Sequence, residues 1–279
     1  MTHYLSEDQV AAFRRDGMLF PLRAFEAEEI VRMTGRLEEL GRARRGQLPP
    51  ALNLKAHLLL PWLWDVVCDA RILDPVESLL GPDLLCWGSS FFDKAPNRPD
   101  HVPWHQDVTY WGLSRPEAVT AWVAFTGSDS ENGCLRVVPG SHARALPHDN
   151  SFDPDNLLPA REKLRADVDG AAAVDVELSA GEMSLHHVLV VHGSSPNATQ
   201  RRRTGFAIRY IPGTLTQTGG RGTATLVRGR DHGTFDLERS PEGELHPAAV
   251  KRHAGILRQA ARIVAGEVGR TRPPQDCAR

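Results

Sequence analysis

Cysteine is scarce in this chain. Four occur in 279 residues, Cys68, Cys86, Cys134 and Cys277, and no two form a C-x-x-C pair. A zinc ribbon and a thioredoxin-like redox pair are thereby excluded. Scattered thiols read as reduced side chains of a cytoplasmic protein. An excess of one charge is missing too: 33 Lys and Arg stand against 35 Asp and Glu, for a formal net charge of -2. No global basic field exists to recruit nucleic acid. Apolar runs such as Val188-Leu189-Val190-Val191 are far too short to span a bilayer. Neither nucleic acid nor membrane is expected as a partner. Met1-Thr2-His3-Tyr4 has no basic or apolar region of the kind a signal peptide needs. The length suffices for one domain whose core needs no disulfide staples.

What is present changes period along the chain. Ser6 opens a helix with the S-x-x-Q capping pattern, Gln9 being its third residue, and Gly17 ends it. A short strand is predicted over 18–21. A second helix, over about 26–44, follows from the spacing of Ile30, Met33, Leu37 and Leu40. A third, over about 71–80, is stopped by Gly81-Pro82. From Leu84 onward the pattern is strand-like, over 84–92, 119–126, 135–138, 172–178, 183–191 and 205–211. Helices first and many short strands afterwards predict an α+β, mainly β chain whose β part is a sandwich or barrel. The polar stretch 149–170 reads as a lid or an excursion between strands. The Gly-, Thr- and Arg-rich stretch 213–230 reads as loop. A last helix is predicted over about 247–265. One domain over 1–268 and a disordered tail over 269–279 complete the expectation.

Chemistry is concentrated in His105-Gln106-Asp107 and, far downstream, His192. On an extended segment residues i and i+2 share a face, so His105 and Asp107 can bind one metal while Gln106 points elsewhere. Two imidazoles and one carboxylate are the donor set of a mononuclear non-haem Fe(II) site with open coordination positions. A lone H-x-D is a frequent spacing and carries little by itself. His186 and His187 rival His192 as third donor on composition alone. If Arg203 begins a strand, Gly205, Ala207 and Arg209 share its face, while Phe206, Ile208 and Tyr210 take the other. Arg209 is then a candidate cationic contact for substrate. Ser194, two residues past His192, is a candidate donor to a carboxylate. Asn132-Gly133 reads as a tight turn, and His142 as structural.

The segments Trp104-His105-Gln106-Asp107, Asn132-Gly133-Cys134-Leu135, Pro139-Gly140-Ser141-His142 and His192-Gly193-Ser194-Ser195-Pro196-Asn197 occur in one order. In that order and spacing the chain resembles the phytanoyl-CoA dioxygenase family of Fe(II)- and 2-oxoglutarate-dependent oxygenases, from the first helix to about Ile211. The resemblance implies a double-stranded β-helix, a jelly-roll-like and cupin-like core, with the N-terminal helices packed on one sheet. It implies His105, Asp107 and His192 as the metal ligands that carry catalysis. The family's arginine for the distal carboxylate of 2-oxoglutarate lies eleven residues after the distal histidine, which here is Arg203 (203 − 192 = 11). Trp122 falls beside the cosubstrate, and Asn53, Lys55 and His57 fall where the family contributes substrate or cosubstrate contacts. Halogenating relatives carry Gly or Ala at the carboxylate position, whereas Asp107 keeps the carboxylate. The implied reaction is therefore hydroxylation, or desaturation, epoxidation or ring closure, of a small or medium-sized metabolite, in secondary metabolism. O2 is the oxidant and succinate and CO2 are products. On the residues alone, a metal-dependent hydrolase or isomerase and a non-catalytic binding module stay open.

Overall fold

The computed structural model describes residues 4–42, 44–107, 111–150, 152–158 and 161–271, with side chains described as far as Ile263. The chain begins with α1 (Glu7–Asp16), β1 (Met18–Arg23), α2 (Ala27–Arg42), α3 (Pro61–Val67) and α4 (Ala70–Leu80), with short 3-10 turns over Pro50–Asn53 and Ala56–Leu58. At α1 both arms of the capping box form: Ser6 Oγ accepts from Gln9 N (3.2 Å), and Gln9 Oε1 accepts from Ser6 N (2.9 Å). Gly17 closes the helix at φ 73°, a left-handed position that suits glycine.

The β part runs β2 (Leu84–Lys94), β3 (Val102–His105), β4 (Val119–Ala124), β5 (Leu135–Val138), β6 (His148–Asn150), β7 (Glu162–Leu164), β8 (Val174–Val176), β9 (Glu182–His187), β10 (Val191–Ser194), β11 (Arg203–Pro212), β12 (Thr223–Arg228) and β13 (Asp236–Leu237); α5 (Pro247–Thr271) follows. A seven-stranded sheet has the order β1-β9-β4-β11-β2-β12-β13, a four-stranded sheet the order β3-β10-β5-β8, and β6 pairs with β7. All pairings in the two larger sheets are antiparallel except β12 with β13.

Alternation along β11 separates two cores. Phe206, Ile208 and Tyr210 face the helices and pack with Phe13, Ile30, Leu63 and Ile72. Ala207, on the opposite face, packs with Trp122 of β4 and with Leu135, Val137 and Val176 of the smaller sheet. Each large aliphatic or phenyl side chain so buried contributes about 1.5–3 kcal/mol, so the large sheet is pinned on both faces. The space between the sheets is where the polar residues gather.

Several expectations are corrected. The predicted strand 183–191 is two strands, because Val188–Val190 forms a buried turn (Val190 N donates to His187 O, 2.9 Å) that carries the chain from one sheet to the other. The stretch 213–230 contains β12, held antiparallel against β2. Helix α3 falls in an apolar run that had no helical assignment. The final helix continues to Thr271, so 269–271 are helical; the rest of the expected tail lies outside the described residues. No described helix is long and apolar enough to cross a membrane.

Candidate metal centre

His105 and His192 are directly opposed residues on β3 and β10. Cross-strand pairing therefore brings two imidazoles from distant sequence positions to one face, with ring centroids 4.1 Å apart. Each ring is oriented through its Nδ1, which donates to a backbone carbonyl: His105 to Pro103 O (2.9 Å) and His192 to Val190 O (3.0 Å). That leaves both Nε2 atoms as the free ends, aimed at a shared point. Asp107 lies just beyond the end of β3 rather than within it, yet its Oδ1 is 3.5 Å from His105 Nε2 and 4.0 Å from His192 Nε2. Thr120 Oγ1 donates to the other carboxylate oxygen, Oδ2 (3.1 Å). One donor atom from each of His105, Asp107 and His192 lies within 4.8 Å of the others, and all three residues are buried.

Gln106 points away, as the alternation predicted. Its amide donates to Leu189 O (2.6 Å) and Arg144 O (2.9 Å) and accepts from Leu146 N (2.8 Å). The intervening residue thus ties the segment to the buried 188–190 turn, from which Val188 O also accepts from Asp107 N (3.0 Å).

The electrostatics match the geometry. Burial opposes ionisation of Asp107, but the close approach of the His105 and His186 imidazoles, followed by His192 and the Arg209 charge, holds its carboxyl well below the usual range. Burial opposes protonation of His105 as well, yet Asp107 outweighs it and raises that ring. Burial, then the neighbouring His105, pushes His192 well down. An ionised carboxylate against a neutral and a proton-sharing imidazole is a donor set that a divalent cation completes by displacing the proton.

His186 also lies in the site. Its Nε2 is 3.8 Å from Asp107 Oδ2, and its Nδ1 is buried without a hydrogen-bond partner. It approaches the carboxylate from the large sheet and stands outside the three-donor group. His187 and His142 lie apart from it, against each other at 5.2 Å.

Beside the three donors, in the same cavity, are Trp122, Ser194, Arg203 and Arg209. Arg203 is 2% exposed, its Nε donates to Ser128 Oγ (3.3 Å), and its guanidinium carbon lies 4.4 Å from the Trp122 ring centre. Burial lowers it to about 10, still charged at neutral pH. Among the described residues no carboxylate forms an ion pair with it. Gly205 permits this packing, because a Cβ there would stand 1.8 Å from Trp122 Cζ2. Lys94, opposite Arg203 on β2, is a residue that sequence reasoning missed. Its Nζ donates to Ser194 Oγ (2.6 Å), Gly133 O (3.2 Å) and Ser195 O, and burial followed by Arg203 lowers it to about 6. It pins the His192–Asn197 segment through the Asn132-Gly133 turn, where Gly133 has φ 77° and a Cβ would stand 2.2 Å from Ser195 O.

A second cavity, of about 460 Å³, meets the first at Asp107, Phe92 and Arg209. Asn53 lines it, as do Leu157, Leu158 and Glu162 from the 149–170 stretch. That stretch is therefore an excursion that contributes cavity wall. Lys55 and His57, expected as contacts for substrate or cosubstrate, do not line it. Lys55 Nζ donates to Trp87 O (2.6 Å), Thr223 O (3.1 Å) and Glu238 Oε1 (2.6 Å), while His57 bonds Ser89 Oγ (2.7 Å) and Thr225 Oγ1 (3.0 Å).

With this geometry in view, the similarities to known proteins are consistent. The family model "Phytanoyl-CoA dioxygenase (PhyH)" matches residues 13–205. Peroxisomal phytanoyl-CoA dioxygenase of Homo sapiens is 30% identical over 146 residues, 50% of this chain and 43% of that one. The chain thus matches less than half the length of that relative. Among solved structures, the non-heme monooxygenase ThoJ in its apo form is 36% identical, with a TM-score of 0.84 over 94% of this chain and 100% of that one. CytC3 with Fe(II) and alpha-ketoglutarate is 27% identical, with a TM-score of 0.65 over 88% of this chain and 97% of that one. A match over residues 13–205, together with this likeness along nearly the whole chain, means that the chain belongs to the phytanoyl-CoA dioxygenase family.

Proposed function

We propose that the chain is an Fe(II)- and 2-oxoglutarate-dependent oxygenase that hydroxylates, or otherwise oxidises, an unactivated C–H bond of a small or medium-sized metabolite. The observation that carries this reading is one buried cavity holding three convergent donors, two of nitrogen and one of oxygen, beside a buried arginine with no carboxylate partner among the described residues. The donor set suits Fe(II), leaving positions for bidentate and gaseous ligands. When bound, iron would let O2 act as the oxidant, with 2-oxoglutarate giving two electrons as it is converted to succinate and CO2 and the substrate giving the other two.

The side chains supply the rest. His105, Asp107 and His192 hold the metal. Arg203 pairs with the distal carboxylate of the cosubstrate, for which a planar guanidinium suits bidentate contact. Ser194, held by Lys94, offers its hydroxyl to the same group, and Trp122 holds the guanidinium in place. Two facing antiparallel sheets with the donors between them support a double-stranded β-helix as the framework. The 460 Å³ outer cavity supports a metabolite-sized substrate, of the kind met in secondary metabolism, and unpaired Cys68, Cys86 and Cys134 support a cytoplasmic setting.

Succinate formation in air tests the reading. Purified protein with Fe(II) and 2-oxoglutarate should release succinate slowly, and faster with a substrate found by metabolite screening. Asp107→Ala should reduce the rate by more than about 100-fold. Metal-dependent turnover of any metabolite without O2 uptake would instead favour a hydrolase or isomerase.

A further inference from the structure

The outer cavity contains a buried carboxylate that takes part in no ion pair among the described residues. Glu162, the first residue of β7, is 7% exposed, and its Oε2 is buried without a hydrogen-bond partner. It lines the outer cavity together with Asp93, Asp107, Arg209 and the two indoles of Trp87 and Trp111. The other charges there have partners. Asp93 pairs with Arg202, and Asp107 faces the metal donors. Arg209 Nη1 donates to Ser90 Oγ (2.8 Å), and its guanidinium carbon lies 5.8 Å from the Trp111 ring centre. No ion pair joins Glu162 to any described residue. Burial pushes its carboxyl upward, and the His105 and Arg209 charges nearby do not offset it.

We infer that Glu162 recognises a positively charged nitrogen group on the substrate, so that the substrate class is an amine, amidine or other organic cation. A buried carboxylate with one oxygen unbonded and no ion pair is costly, and a bound cation that supplies the missing donor reduces that cost. The neighbouring aromatic wall fits the same ligand: Trp87 and Trp111 are stacked with centroids 4.5 Å apart at 18°, and ring faces attract cations. Arg209 adds a donor for a carbonyl or carboxylate elsewhere on the same molecule. A wholly neutral metabolite would leave Glu162 unanswered, and a simple anion would meet it as a like charge. The inference rests on the oxygenase reading only in calling this ligand a substrate.

Three probes of one scaffold test it: phenethylamine, its neutral N-acetyl form, and 3-phenylpropionate. Each is titrated calorimetrically into metal-free protein without 2-oxoglutarate. The expected result is binding of phenethylamine about tenfold or more tighter than either of the others. Glu162→Gln should remove that preference while leaving the circular dichroism spectrum unchanged. Equal or better binding of the neutral or anionic probe by wild-type protein, or no preference because none binds, overturns the inference. So does retention of the preference in Glu162→Gln. If that variant does not fold, the order of the three probes on wild-type protein decides. Because iron and O2 are absent, failure here leaves the oxygenase reading standing, and failure of succinate formation leaves the cation preference standing.

Discussion

Lys55, His57 and Glu238 form one buried polar cluster, and His105, Asp107, His192 and Arg203 form another. In the first, every donor finds an acceptor inside the protein. Lys55 uses all three of its protons, both His57 nitrogens are bonded, and Glu238 accepts from Lys55, Thr223 and Thr225. In the second, the outer ends of the side chains are held and the inner ends are left open. Both imidazoles are fixed through Nδ1 with Nε2 free, and the Arg203 guanidinium is fixed through Nε. Both clusters are equally deep. What separates scaffold from site is whether the protein satisfies its own polar atoms.

The comparison can be broken from the scaffold side with the largest expected effect. Glu238→Ala leaves Lys55 buried without its counter-charge, so urea unfolding should show a loss of about 3–5 kcal/mol. A loss below about 1 kcal/mol would mean the closed cluster holds nothing together. Removing a ligand-facing group should act on ligands instead. Arg203→Gln should weaken 2-oxoglutarate binding by about 1.5–3 kcal/mol, roughly 10- to 150-fold, while high 2-oxoglutarate restores the signal. Gly205→Ala sharpens the contrast further, because the added methyl must displace Trp122. The expected cost is about 1–3 kcal/mol of stability, with a raised KM for 2-oxoglutarate.

The smallest expected effect is on pH dependence. Burial alone would raise the Glu238 carboxyl, but the Lys55 charge and the His57 contact outweigh it and hold it below its ordinary 4.5. A carboxylate depressed in the folded state contributes stability that is fully present above the unfolded value. That stability is lost as pH falls through the folded one. Wild-type stability should therefore decline with acid below about pH 4.5, and Glu238→Gln should show a flatter decline over that window. Parallel slopes in the two proteins would remove Glu238 from the account.

Short-range pattern made much of this legible in the sequence. Ser6 and Gln9 announce α1 because capping is local. The alternation of Arg203, Ala207 and Arg209 against Phe206, Ile208 and Tyr210 is a strand's own period, and the structure keeps it. Other features depend on partners far along the chain. Lys55 is two residues from Asn53, yet it has a left-handed φ of 52° between two 3-10 turns, and its counter-charge is 183 residues away. Nothing in the local sequence distinguishes a lysine turned toward Glu238 from one turned toward a ligand. Val188–Val190 has strand composition because it is buried, although it turns. Lys94 and Glu162 escaped notice because an isolated charge at a strand end ordinarily faces solvent.

We propose that the open cluster is completed by two ligands, a metal on His105, Asp107 and His192 and a dicarboxylate on Arg203. Anaerobic addition of Fe(II), then 2-oxoglutarate, followed by visible absorption, tests it most directly. The account predicts a charge-transfer band that requires both additions. It also predicts no band in Asp107→Ala and a band in Arg203→Gln only at raised 2-oxoglutarate. A folded wild-type protein with no band, or one whose spectrum Asp107→Ala reproduces, would contradict it.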